Sequence, residues 1–67
     1  MDMALYKIPP NVGKVRVAMS LGNKFAVWNG KQDRGEFRIL CRTRRQAEEV
    51  AQKINRGEHA GEIEVLS

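Results

Sequence analysis

The sequence predicts a small α+β domain, an antiparallel sheet of three strands followed by a helix on one face and a short fourth strand. Two hydrophobic periods carry that expectation. Val15, Val17, Met19 and Leu21 alternate with Lys14, Arg16, Ala18 and Ser20, the two-residue period of a half-buried strand. From Thr43 onward the apolar positions become Ala47, Val50, Ala51 and Ile54, the spacing of a helix buried on one side. A third observation concerns the remaining sheet face, where Arg16, Trp28 and Arg38 share the parity opposite to the core.

Residues 1–13 read as an extended N-terminal arm, and 14–67 as a single small domain. Pro9-Pro10 excludes a helix and limits any strand at Leu5–Ile8 to an edge, with Tyr6 and Ile8 available to pin the arm to the core. Asn11-Val12-Gly13 turns the chain into the first strand, Lys14 to Leu21. Gly22-Asn23 is a two-residue hairpin signal, because Gly accepts the positive φ of a type II′ turn. The second strand, Lys24 to Trp28, points Phe25 and Val27 one way and Ala26 and Trp28 the other. Asn29 to Gly35 is a longer connection with two turn cues, which leaves the register of the third strand open. That strand, Glu36 to Arg42, points Phe37, Ile39 and Cys41 inward and Glu36, Arg38, Leu40 and Arg42 outward.

Thr43 is an N-cap, and Gln46 three residues later forms a Thr-x-x-Gln capping box. The helix is expected from Arg44 to Arg56, with Lys53 and Arg56 near its negative end and Gly57 as the left-handed stop. Glu62-Ile63-Glu64-Val65 alternates again as a final strand with an acidic outer face. The expected core is Val15, Val17, Met19, Leu21, Phe25, Val27, Phe37, Ile39, Cys41, Ala47, Val50, Ala51, Ile54, Ile63 and Val65.

Composition narrows the class of function. The net charge is +4, but residues 1–45 hold ten Lys/Arg against three acidic groups, whereas residues 46–67 hold two against five. Such polarity favours an anionic partner on one side, nucleic acid above all. No apolar run is long enough to span a bilayer, so no membrane partner is expected. The start, Met-Asp-Met-Ala, lacks a secretory h-region and the single cysteine can form no internal disulfide. Together these point to the cytoplasm.

No set of residues for catalysis, a metal or a cofactor is found, and the expectation is a protein that is not an enzyme. His59 is the one histidine and has no second ligand at zinc spacing. Cys41 alternates with Ile39 and Phe37 and reads as a small buried hydrophobe. Gly30 to Gly35 lacks the Gly-Lys-Ser/Thr ending of a phosphate loop.

The remaining signal is basic and aromatic. Arg16, Trp28 and Arg38 lie on the outer parity of adjacent strands, Lys24 and Arg42 share it, and Arg44 and Arg45 mark the helix entrance. Arginine matches phosphates or guanine edges with a two-pronged contact, and tryptophan can stack on a base. The runs Lys24-Phe25-Ala26-Val27-Trp28, Phe37 to Thr43 and Gln46 to Ala51 resemble three-strands-then-helix DNA-binding modules, the AP2-type domains and the arm-type N-terminal domains of tyrosine integrases. Thr43 and Ala47 match their Thr-x-x-x-Ala helix start. The approach Leu40-Cys41-Arg42 and the acidic last strand depart from that pattern. The resemblance implies that outward Arg16, Trp28 and Arg38 read the major groove. The leading expectation is therefore a nucleic-acid-binding module, most readily for duplex DNA. The alternative is a protein-interaction module that uses Trp28 and Leu40 as an apolar patch.

Overall fold

The computed structural model describes residues 3–66, so Met1 and Asp2 at the head of the expected arm, and Ser67, lie outside the described residues. The order is β1 (Met3–Lys7), β2 (Arg16–Ser20), a three-residue turn (Leu21–Asn23), β3 (Lys24–Trp28), β4 (Arg38–Cys41), α1 (Arg44–Arg56) and β5 (Glu62–Leu66). The chain is α+β, with one helix over antiparallel strands. Strands β2, β3 and β4 form one sheet in sequence order, while β1 and β5 form a separate two-stranded ribbon. The segment expected as an arm is thus extended, and over Met3–Lys7 it is a strand that pairs Tyr6 with Ile63 and Lys7 with Glu62. The fourth strand, β5, finds its partner there and not in the larger sheet.

Helix α1 forms where its local signals place it. The Thr43 hydroxyl accepts from the Gln46 amide at 3.1 Å, satisfying one of the first-turn donors. At the other end Gly57 adopts φ 69°, a left-handed conformation that a Cβ would strain. The Gly57 amide donates to Ile54 O and the Glu58 amide to Lys53 O, the paired bonds of a Schellman stop. Between these caps Ala47, Val50, Ala51 and Ile54 are buried.

That apolar stripe packs against Val15, Val27, Ile39 and Cys41, with Val17 and Phe25 at the margin. Ile63 and Val65 of the ribbon close the same core, with Tyr6 packed against it. Ile8 and Val12 are buried there as well, so the chain before β2 supplies core side chains. Two side amides fasten these parts together. Asn55 at the end of α1 accepts from Val15 N at 2.8 Å and donates to Val15 O at 2.9 Å, as a neighbouring strand would. Asn29 donates to Val12 O and Gly35 O and accepts from Lys31 N and Phe37 N, which closes the long connection between β3 and β4.

Met19 and Leu21, expected in the core, are instead 72% and 94% exposed. The reason lies in the hairpin. A two-residue type II′ turn is expected at Gly22-Asn23, but Ser20 pairs with Lys24, leaving three residues in the connection. Gly22 and Asn23 both take positive φ, 72° and 61°, which Gly and Asn accept readily. Leu21 is thereby part of the turn. The tip is also tied across the sheet, where Arg38 on β4 donates from Nη2 to Ser20 Oγ at 2.8 Å. Met19 follows that tip and lines a cavity on the outer face.

Candidate nucleic-acid interface

The register of the three-stranded sheet decides which outward side chains meet. Arg16 pairs with Trp28, and Trp28 pairs with Arg38. The three residues singled out by parity therefore form one row across β2, β3 and β4. The next outward row is Ala18, Ala26 and Leu40. Beyond it Lys24 pairs with Ser20, and Arg42 follows the last residue of β4 on the same alternation. Basic groups thus stand at both ends of the face with a narrow apolar strip between them.

Trp28 is the most constrained member. Its ring Nε1–H lies 3.1 Å from Lys31 O and 3.1 Å from Glu36 Oε2, a donor shared between a backbone carbonyl and a carboxylate. The Arg16 guanidinium carbon lies 5.6 Å from the centre of the indole ring, a cation held against an aromatic face. A Cβ placed on Gly30 would lie 3.8 Å from Arg16 Nη2, so the turn after β3 packs close beside the same guanidinium.

Arg38 leaves the row in the opposite direction. Its reach to Ser20 takes its side chain across the Ala18–Ala26 strip, and Ala26 is only 3% exposed although it faces outward. Ala18, Met19, Ala26, Trp28, Glu36 and Arg38 enclose a shallow cavity of about 230 Å³. Glu36 brings a negative charge to this otherwise basic face. Leu40 is 42% exposed and open, and the N-terminal strand pairs with β5 and leaves it uncovered.

Arg44 and Arg45 are placed elsewhere. The Arg44 guanidinium carbon sits 5.1 Å from the centre of the Phe25 ring, whose side chain belongs to the helix-covered face. Arg45 forms an exposed 3.7 Å ion pair with Glu49 one turn along the helix. Both flank the sheet and neither joins the row around Trp28.

Sequence reasoning missed Glu36, Ser20 and Gly30 as parts of this surface. Glu36 had a readable signal: it shares the outward parity, and a half-buried indole N–H calls for an acceptor. Ser20 and Gly30 had none, since their roles follow from twist and from one rotamer.

Cys41 is fully buried, and desolvation pushes its thiol above the ordinary value of 9.0. Burial thus favours its neutral, less nucleophilic form. His59 braces its loop by accepting from Gly61 N through Nδ1 at 3.1 Å. No helix among the described residues is long and apolar enough to cross a membrane. No family model matches the chain, and no curated protein or solved structure matches it either.

Proposed function

We propose that the outer face of β2–β4 is a nucleic-acid-binding surface whose main ligand is duplex DNA. The observation that carries this reading is the in-register row Arg16–Trp28–Arg38, with Lys24 and Arg42 at the far end of the same face. Its dimensions suit the task. Three strands span a backbone width of about 10 Å, and a B-DNA major groove is about 12 Å wide. The opposite face is closed by α1, and Glu62 and Glu64 lie on β5 in the separate two-stranded ribbon. The protein would act as a small cytoplasmic module without cofactor.

Amide chemical-shift titration with a mixed-sequence duplex at two salt concentrations tests the reading. Shifts should map to the outer residues of β2–β4, and affinity should fall steeply with salt because each neutralised phosphate releases counterion. Arg16→Ala or Arg38→Ala should reduce the logarithmic salt slope by about 1 each. Glu62→Ala on the acidic strand should leave affinity undiminished. An absence of shifts with duplex and single strands at low salt would overturn the reading. In that case the Ala18–Ala26–Leu40 strip favours a protein partner, because Leu40 is an exposed apolar side chain on an uncovered face.

A further inference from the structure

Resting on the reading above, we infer that Trp28 is a positioning residue that holds the Arg16 guanidinium, not a platform on which a base stacks, and that the surface consequently selects duplex over single-stranded nucleic acid. Proteins that hold single strands do so by offering aromatic faces to successive unpaired bases. This outer face has one aromatic side chain to offer. Phe37 is buried, Tyr6 and Phe25 pack against the core, and Arg44 covers the Phe25 ring. Trp28 is already engaged. Arg16 occupies a ring face, and the ring nitrogen is tied to both Lys31 O and Glu36 Oε2. Turning the indole toward a base would break the two hydrogen bonds and the cation–π contact together.

The same contacts favour Arg16 as the recognising group. A guanidinium held over a ring at 5.6 Å keeps N–H donors free while losing part of its side-chain freedom, so less entropy is lost when it meets a partner. A fork held in one orientation suits the guanine O6/N7 edge in a major groove or a regular row of phosphates. A flexible single strand offers neither.

The chain contains one tryptophan, so its fluorescence reports on Trp28 alone. The decisive measurement is anisotropy of labelled duplex and single-stranded oligonucleotides of matched length, with tryptophan emission recorded on the unlabelled ligands. The duplex should bind at least tenfold more tightly, with little quenching of Trp28. Arg16→Ala and Trp28→Leu should weaken duplex binding by the same factor, and the double variant by no more than either. In the free protein the Arg16 side-chain protons should show an upfield ring-current shift that disappears in Trp28→Leu, and its absence in the wild type would show that the ring does not hold the guanidinium. Equal or tighter binding of the single strand with strong quenching of Trp28 would overturn the inference and leave nucleic-acid binding standing. Binding of neither ligand at low salt would overturn the functional reading and this inference with it. Trp28→Phe, which keeps an aromatic face without the N–H anchor, guards against misfolding of the leucine variant. It should retain part of the ring-current shift and part of the duplex affinity, and full retention of both would show that the anchor is irrelevant.

Discussion

Single side chains join distant parts of this molecule, and Asn55 is the clearest case. Its amide makes two bonds to the backbone of one residue 40 positions away, replacing the strand that β2 lacks at Val15. Asn55→Ala removes both and leaves Val15 N–H and C=O to find water at a partly buried site. The expected cost is about 1–2 kcal/mol, read as a lower urea midpoint at unchanged slope; a shift equivalent to less than half that range would mean solvent replaces the amide freely. No pattern in the sequence marks Asn55, because a polar residue near a helix end is ordinary and its partner is remote. Cys41, by contrast, was legible from alternation with Phe37 and Ile39, and it is fully buried. Its raised pKa carries a sign. Folding favours the neutral thiol, so stability is unaffected below the ordinary value of 9.0 and falls as pH rises through and above it. The wild type should therefore lose more stability than Cys41→Ala between pH 8 and about pH 10.5. The native thiol should also resist an aromatic disulfide reagent until denaturant is added. Rapid labelling of the folded protein would place Cys41 at the surface.

Elements whose signals are local could be read directly, and those that depend on distant pairing could not. Helix α1 runs from Arg44 to Arg56 because its stop and start are written within a few residues of each end: Thr43 caps the first turn and Gly57 ends the last. Thr43→Ala should cost about 1 kcal/mol, and an unchanged thermal midpoint would show that the hydroxyl contributes nothing. Ile54, 5% exposed, is the last apolar residue of the buried stripe. Ile54→Ala should cost about 2–4 kcal/mol through lost burial and a cavity, measured in the same way. The hairpin shows the opposite case. Gly22-Asn23 announced a turn, but its loop length is set by the pairing of Ser20 with Lys24, and Arg38 reaches across to fasten Ser20. Met19 and Leu21 were lost from the core for that reason. Parity survived the change of turn. Arg16, Trp28 and Arg38 kept a common face because alternation along each strand does not depend on the loop, although their alignment in one row required the register of β4.

At the scale of the whole molecule, the two ends of the chain meet in the β1–β5 ribbon, and that pairing is the least local contact in the fold. Nothing in the alternation of Glu62–Val65 says which strand it will join, so the ribbon could not be foreseen. Its consequence is that a chain of only 67 residues gathers core side chains from nearly its entire length. A domain of this size commands about 3–5 kcal/mol from one hydrophobic core, so each buried residue of the N-terminal segment matters. Ile8 is 6% exposed, and its amide donates to Gly61 O at 2.8 Å, fastening the segment to the turn before β5. Ile8→Ala should cost about 2–4 kcal/mol, enough to leave the domain marginal at room temperature. An arm lying outside the domain would instead give a loss below about 0.5 kcal/mol, as surface substitutions do. Guanidinium unfolding followed by far-ultraviolet circular dichroism separates the two outcomes, provided the duplex is absent, since any bound ligand raises apparent stability by mass action. Adding duplex should then restore much of the lost stability, because Ile8 is a core residue outside the Arg16–Trp28–Arg38 row and its loss leaves the side chains of that surface unchanged. Failure of duplex to raise the midpoint, in a variant that still folds, would mean that the outer face does not bind it.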